Sequence, residues 1–280
     1  MDSNALKANS REKLLFCFGM PKSGTTYLQM ILDSHPEVSC PSEHQFDFII
    51  KGLFDLFERY NQILQVVDSR TGKQGACGFQ GEDVDYIFKV IVERAALRGA
   101  RGKRVKWYGI NDNAIIDKLG AYSSLFPDAL FIHIVRDPRA VTISSWHHNL
   151  RVEEDFLKRA RDMDNWARFI ATRWVECMEK CTTFKKANPN RVLFIRYEDL
   201  VDCTTDTLKI IFQFLDVDTS KETLREIEEA TSIDRFKGNP FFRKGKSGAW
   251  KEELSPKTCS LIEGIAGDAM KNFSYTPVGG

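Results

Sequence analysis

The sequence has no long apolar run, no excess of either charge and no CxxC pair of cysteines. No stretch of its 280 residues approaches the roughly 18 apolar residues that span a bilayer, and it begins with the polar segment MDSNALKANSREK. Forty basic residues stand against thirty-nine acidic ones, so no overall basic field favours nucleic acid or a membrane as partner. We therefore expect a cytoplasmic protein that binds any anion at a local site.

The cysteines predict neither a disulfide framework nor a metal centre. Seven are scattered along the chain without a CxxC pair, which fits a reducing compartment. Cys177 and Cys181 lie one helical turn apart and could share a metal, but no second ligand pair lies nearby in the sequence. We expect both to be packed in the core, and no metal to be bound.

Three segments are typical of a strand followed by a helix. The strand candidates are short apolar runs at residues 14–18, 130–135 and 192–195, and helical patterns follow at residues 25–32, 139–146 and 208–214, the last after a loop at 196–199. Residues 153–186 predict one or two amphipathic helices with core-facing tryptophans. This order indicates an α/β fold, a single domain of residues 1–280 with a parallel sheet and helices on both faces, and with residues 1–13 disordered.

Residues 19–26 (GMPKSGTT) separate the first strand from its helix, where backbone N–H groups and the helix dipole favour an anion. A nucleotide triphosphatase would have lysine directly after the last loop glycine, but Gly24 is followed by Thr25. The lysine is Lys22, inside the turn. From there it would point at the end of a phosphate chain, where a leaving oxygen gains charge.

The hexapeptide PKSGTT after an apolar strand resembles the 5′-phosphosulfate loop of the sulfotransferases that use 3′-phosphoadenosine 5′-phosphosulfate (PAPS). The resemblance implies a P-loop-like fold, PAPS as sulfuryl donor, 3′-phosphoadenosine 5′-phosphate (PAP) as product, and no metal. It assigns Lys22, Ser23, Gly24, Thr25 and Thr26 to donor binding, and it makes Lys22 catalytic as well.

Two distant segments resemble the family's motifs for the 3′-phosphate. Residues 136–144 (RDPRAVTIS) are similar to the strand-end motif, which assigns Arg136 and Ser144 to that phosphate. Residues 243–251 (RKGKSGAWK) resemble the loop that wraps the same group, which assigns Arg243, Lys244 and Gly245.

The nucleoside contacts also follow from the resemblance. It assigns Thr231 and Ile233 to the adenine, with Ile233 standing where the family has an aromatic residue. It assigns Tyr197, after the third strand, to the nucleoside, although a purely structural buried tyrosine stays an alternative. Arg139 is expected to be a surface or helix-terminal charge.

Residues 32–44 (LDSHPEVSCPSEH) match without a gap the segment LDAHPDVRCGEET of the tyrosylprotein sulfotransferases, whose glutamate is the general base. Glu43 falls on that glutamate, and His44 is the neighbour that could replace it. The cytosolic branch of the family has its histidine base in a KxH motif, which residues 105–109 (VKWYG) lack. The resemblance therefore makes Glu43 the expected base, with His44 as the alternative.

Two other functions stay open at this point. A P-loop kinase would share the fold but needs the lysine that Thr25 replaces, and an inactive PAPS-binding module would not need Lys22 and Glu43. If the chain is an enzyme, we expect it to transfer the sulfuryl group to a hydroxyl or amine of a small-molecule acceptor, as in the tailoring of secondary metabolites. Only Phe241 and Phe242 lie where the cytosolic branch carries its KxxxTV dimer contact, so we expect a monomer or a weak dimer through another surface.

Overall fold

One parallel sheet organises the chain, of which the computed structural model describes residues 13–72, 78–202, 204–232, 235 and 247–277. Its strands are β1 (Lys13–Gly19), β2 (Val38–Ser39), β3 (Trp107–Asn111), β4 (Leu130–Val135) and β5 (Val192–Arg196). The order across the sheet is β2-β3-β1-β4-β5, so the direction of chain progression reverses at β1. Ligands of open parallel sheets bind at the carboxyl ends of the strands beside such a reversal.

Helices cover both faces of the sheet. They are α1 (Thr25–Ser34), α2 (Phe46–Thr71), α3 (Gly81–Gly99), α4 (Leu119–Leu125), α5 (Pro138–Val152), α6 (Phe156–Ala160), α7 (Met163–Ala187), α8 (Tyr197–Asp202), α9 (Thr204–Phe214), α10 (Lys221–Thr231) and α11 (Pro256–Lys271). Short 3₁₀ helices occupy Asn113–Lys118 and Ala249–Glu252. The predicted α/β fold is confirmed.

The alternation of side chains along β1 divides the core into two layers. Leu15 and Cys17 pack in the layer that α1, α9 and α10 cover, whereas Phe16 and Phe18 pack in the layer that includes α3, α7 and α11. All four side chains are fully buried. A strand buried on both faces is a continuous apolar run in the sequence, and this is why β1 was recognisable.

Several predicted elements need correction at their ends. α8 begins at Tyr197, directly after β5, so the loop expected at residues 196–199 is wrong. β1 begins at Lys13, the last residue of the segment expected to be disordered. The amphipathic helices predicted within residues 153–186 are α6 and α7, and Trp166 and Trp174 of α7 are buried as expected.

His35 closes α1 and is the least exposed histidine together with His133. Its backbone N–H donates to Leu32 at 3.3 Å, and its ring Nδ1 accepts the Glu37 N–H at 3.0 Å. The other nitrogen, Nε2, lies 2.9 Å from the Asp218 carbonyl oxygen, where it donates as N–H. Burial lowers the pKa of His35, and the Asp218 carbonyl and the Glu37 charge only partly oppose this effect.

We expect His35 to make the fold less stable in mild acid. Because its pKa is lowered on folding, the unfolded chain binds more protons below the ordinary value of about 6.5, and stability that is complete above about pH 7 is lost as the pH falls. Each unit of lowering corresponds to about 1.4 kcal/mol. Urea unfolding at about pH 7.5 and about pH 5.5 should show a smaller acid loss for His35→Gln than for the wild type. Equal losses would contradict this origin.

Candidate active site

The loop between β1 and α1 has the backbone of an anion-binding turn. The Ser23 N–H donates to the Met20 carbonyl at 3.0 Å, and both Lys22 (φ 73°) and Gly24 (φ 98°) adopt left-handed conformations. No side chain of the described residues caps the N-terminus of α1. The amide groups of the first turn, which includes Thr25 and Thr26, are therefore oriented toward the place where a phosphate would lie.

Gly24 is required at its position by both conformation and space. A Cβ atom there would lie 2.4 Å from Cδ2 of Tyr197, whose ring packs against the glycine. Tyr197 thus acts on the loop from the start of α8, and it also lies in the wall of a cavity beside the loop. Its assignment to the nucleoside stays a prediction.

Changing Gly24 to alanine should therefore weaken donor binding. A left-handed non-glycine residue costs about 1 to 3 kcal/mol, and the Tyr197 ring must also move, so we expect PAP affinity to fall roughly tenfold. Calorimetric titration with PAP measures the loss. Gly120→Ala is a matched control, because the added methyl group would meet no described atom within 4 Å beyond its chain neighbours and the backbone of its own helix. Equal affinities of the two variants would contradict the steric argument.

Arg136 follows β4 directly and approaches the loop from the other side. Its Nη1 donates to the Lys22 carbonyl at 3.0 Å, and its guanidinium carbon lies 4.1 Å from the centre of the Tyr197 ring. Its Nε is buried and has no hydrogen-bond partner among the described residues. A buried N–H group beside a phosphate loop fits an anionic ligand, because such a ligand would accept its hydrogen bond.

These groups line one cavity of about 220 Å³ at the carboxyl end of β1. Its wall consists of Pro21, Lys22, Gly24, Thr25, Thr26, Tyr27, Glu43, Asn113, Arg136, Ser144, His148 and Tyr197. We call it the donor cavity. The structure thus brings together predicted residues from four separate segments. Ser23 lies below the surface of the loop and is buried.

Of the other residues predicted to bind the donor, the structure describes Thr231, which is not part of this wall. The hydroxyl of buried Thr231 donates to the Ile227 carbonyl at 2.7 Å, within α10. The predictions for Ile233, Arg243, Lys244 and Gly245 fall outside the described residues. Of the five residues predicted to bind the 3′-phosphate, the structure describes two, Arg136 and Ser144, and both line the donor cavity.

Glu43 reaches the donor cavity through a bridge to the sheet. It pairs with Asn111 as an isolated parallel bridge, and its Oε1 accepts a hydrogen bond from Asn113 Nδ2 at 3.3 Å. Asn113 Oδ1 in turn accepts the Gly19 N–H at 3.2 Å. One amide side chain therefore joins the expected base to the start of the phosphate loop.

Asp112 fixes the two segments that carry Glu43 and Asn113. Its carboxylate accepts the Phe46 N–H and the Ala114 N–H, each at 2.9 Å. Burial raises the pKa of Asp112, and the two hydrogen bonds oppose that effect. We regard Asp112 as a positioning residue. It holds the backbone on both sides of the site, and it is absent from the described wall of the donor cavity.

His44, the alternative base, has a different environment. Its ring stacks on Phe46 with centroids 4.9 Å apart, and its buried Nδ1 has no hydrogen-bond partner in the part of the chain that the structure describes. Burial lowers the pKa of His44. Among the described residues that form the donor cavity, Glu43 is present and His44 is not.

A second cavity of about 530 Å³ adjoins the first. Its wall is formed by Met20, Pro21, Lys22, Asn113, Ala114, Ile116, Asp117, Ser145, His148, Asn149, Trp166, Phe169, Ile170, Arg173, Glu176, Cys177 and Lys180. We call it the acceptor cavity. Lys22 lies in both walls. Burial lowers the pKa of Lys22, the nearby Arg151 and Arg136 charges lower it further, and Glu43 opposes them.

Sequence reasoning missed Asn113 and His148, which also lie in both walls. Burial lowers the pKa of His148, with the charges of Lys22 and Arg151 as further causes. A signal for His148 was present, because it follows Ser144 by one helical turn and therefore shares its face of α5. Asn113 had no comparable signal, since its role depends on contacts with two distant segments.

Arg139 lies in the first turn of α5, as the helix-terminal alternative predicted, but it is buried and not at the surface. It forms ion pairs with Asp137 at 2.6 Å and Glu263 at 2.7 Å, and its guanidinium lies 3.9 Å from the centre of a Trp250 ring. Two carboxylates and an aromatic face compensate for the lost hydration. Arg139 thus joins α5 to α11, and Arg136 remains the arginine of the site.

Comparison with known proteins agrees with this arrangement. The sequence profile of the sulfotransferase family matches residues 15–221, more than half of the chain. The chain therefore belongs to the sulfotransferase family, as its motifs predicted. Mouse sulfotransferase SULT7A1 complexed with PAP has the same fold, with a TM-score of 0.59 at 20% identity over 94% of this chain and 86% of that chain.

Several proteins with sequences similar to this chain are protein-tyrosine sulfotransferases. Protein-tyrosine sulfotransferase 1 of Danio rerio is 25% identical over 221 residues, which cover 79% of this chain and 58% of the relative. The protein-tyrosine sulfotransferase of Drosophila melanogaster is 26% identical over 231 residues, which cover 81% of this chain and 43% of the relative. The chain thus spans about half the length of these relatives.

These relatives contradict the expected cytoplasmic location. That expectation rested on the polar start of the sequence, its lack of a long apolar run and its scattered cysteines, whereas the relatives are protein-tyrosine sulfotransferases. The start of the sequence gives no information on location, because the chain matches only part of each relative. Over the part of the chain that the structure describes, no helix is both long and apolar enough to cross a membrane.

Proposed function

We propose that this chain transfers the sulfuryl group of PAPS to a phenolic hydroxyl, with a protein or peptide tyrosine as the first candidate acceptor. The observation that carries the proposal is the position of Lys22 in the walls of both cavities, with Glu43 beside it on the donor side. A cation at this junction can act on a group that passes from one cavity to the other.

The donor assignment has three supports. The loop lacks lysine at the position that a nucleotide triphosphatase needs, and Arg136 with Ser144 offers a second place for a phosphate. The unpartnered Nε of Arg136 fits an anion. The mouse neighbour with the same fold is a sulfotransferase complexed with PAP.

The proposed reaction is an in-line displacement at sulfur. The acceptor oxygen forms a bond to sulfur while the bond between sulfur and the 5′-phosphate oxygen breaks, which leaves PAP. Lys22 neutralises the charge that develops on that oxygen, and Glu43 takes the acceptor proton. The wall of the donor cavity holds both groups, and no step requires a metal ion.

The acceptor class rests on the second cavity and on the relatives. The rings of Trp166 and Phe169 give its wall a surface suited to an aromatic acceptor, and Phe169 is half exposed. The relatives are named for transfer to protein tyrosine. A volume of about 530 Å³ also accommodates a small molecule, so the small-molecule acceptor expected from the sequence is the second candidate.

Two measurements test the proposal. PAP should raise the melting temperature well above the effect of ADP at the same concentration, because ADP lacks the 3′-phosphate. Equal shifts would overturn the donor assignment.

Labelled PAPS should then sulfate a tyrosine-containing peptide or a simple phenol in preference to an aliphatic alcohol or an amine. Transfer to the alcohol or the amine alone would overturn the phenolic acceptor. Transfer to the simple phenol but not to the peptide would favour a small-molecule acceptor, the second candidate.

A further inference from the structure

Three potential metal ligands meet beneath the acceptor cavity. They are His133 in the middle of β4 and the two cysteines Cys177 and Cys181, one turn apart on α7. A ring nitrogen and the two sulfur atoms all lie within 4.8 Å of one another, and all three residues are buried. Within the described part of the chain, no other three His, Cys, Asp or Glu side chains come together in this way.

His133 is an unsatisfied polar group in an apolar layer. It is 0% exposed, and among the described residues neither ring nitrogen has a partner at normal hydrogen-bond geometry. Its ring stacks on Phe18 at 5.1 Å and meets the edge of Phe194 at 5.0 Å. Burying an unpaired polar group costs stability that an apolar residue at this strand position would not lose. In the part of the chain that the structure describes, at least one ring nitrogen of His133 lacks a partner, and a bound metal ion would supply one.

Cys177 and Cys181 present two thiols to the same point as the His133 ring, since the three ligand atoms lie within 4.8 Å of one another. Thiolate is the form of cysteine that binds metals, and a bound cation would favour it at both sulfurs.

A disulfide between these cysteines is disfavoured by helix geometry. Residues four apart on a helix have Cβ atoms about 5 to 6 Å apart, whereas a disulfide requires about 3.5 to 4.5 Å. A tetrahedral zinc ion with Zn–S bonds of about 2.3 Å separates two sulfurs by about 3.8 Å, and so a metal needs much less distortion of α7. The imidazole supplies a third ligand that a disulfide would not use.

We propose that His133, Cys177 and Cys181 bind one zinc ion, with a water molecule from the acceptor cavity as the fourth ligand. Two thiols and an imidazole are ligands that zinc favours, and Cys177 lines the cavity that can supply the water. Binding would release the protons of both thiols. This inference does not depend on the proposed reaction.

A zinc ion here would join α7 to the centre of the sheet. α7 also contributes Trp166, Phe169 and Arg173 to the acceptor cavity, so the metal would fix that wall without touching the donor cavity. We therefore expect metal removal to change acceptor KM more than PAP affinity.

Cobalt titration of the chelator-treated full chain tests the site. Co²⁺ should produce thiolate charge-transfer absorption that saturates at one equivalent, and Zn²⁺ should abolish it by displacement. Zn²⁺ in hundredfold excess over its Kd should also raise the melting temperature by roughly 5 °C. Cys177→Ser and Cys181→Ser should each lose most of the absorption. The matched control is Cys40→Ser, which removes one thiol of a buried pair with sulfurs 3.6 Å apart, and it should keep the signal.

A second measurement avoids the variants, in case a serine variant fails to fold. In the wild-type chain, Zn²⁺ should protect Cys177 and Cys181 from an alkylating reagent, with the modified peptides read by mass spectrometry. The proposal is overturned if the folded apo chain shows no stoichiometric absorption, or if Cys40→Ser alone loses it. Equal alkylation with and without Zn²⁺, or a disulfide between residues 177 and 181 in the purified chain, would overturn it as well.

Discussion

Replacing Lys22 with alanine should reduce kcat roughly a hundredfold or more, while PAP affinity falls by less than about tenfold. Lys22 lies between the two cavities, and its charge matters most when the leaving 5′-phosphate oxygen becomes anionic. Transfer from labelled PAPS measures kcat, and calorimetry measures PAP binding. Lys22→Arg keeps the charge and should retain more activity than alanine does.

The pH profile gives an independent check on Lys22. Its pKa is lowered, mainly by burial and then by Arg151 and Arg136, so the side chain loses its proton at a lower pH than an ordinary lysine. Wild-type kcat should therefore decline on the alkaline side, and this decline should disappear in Lys22→Arg. If PAP affinity falls in Lys22→Ala while kcat does not, Lys22 is a binding residue alone.

The phosphate loop could be predicted because its signal is local. β1, the turn and α1 are consecutive in the sequence, and the turn requires glycine at position 24 for conformation as well as for contact with Tyr197. Arg136 and Ser144 were recognisable for a similar reason, since they lie at a strand end and on the following helix. Each of these segments carries its own pattern.

The acceptor cavity and the thiol cluster could not be predicted in this way. The wall of that cavity combines α5, α7 and the 3₁₀ helix at Asn113–Lys118, which are distant in the sequence. The cysteine pair at positions 177 and 181 was visible, but its partner His133 lies in an apolar strand pattern more than forty residues earlier. β2 is two residues long and β3 five, too short for a periodic signal.

Glu43→Gln should reduce kcat by roughly a hundredfold, the scale assigned to a general base, with PAP affinity unchanged. The amide oxygen of glutamine can still accept the hydrogen bond from Asn113, so the site keeps its geometry and loses only the ability to take a proton. Transfer rates with phenols of graded acidity measure the effect. The loss should be smaller for an acidic phenol, because that acceptor needs less help with deprotonation.

Two histidine variants are the matched controls for Glu43. His44→Ala removes a ring that stacks on Phe46 and is absent from the described wall of the donor cavity, so its cost in kcat should be much smaller. His148→Gln tests the imidazole that lies in both walls. If Glu43→Gln keeps near-normal turnover while either histidine variant is inactive, the base is that histidine, and the match of residues 32–44 to the tyrosylprotein sulfotransferases does not extend to the chemistry.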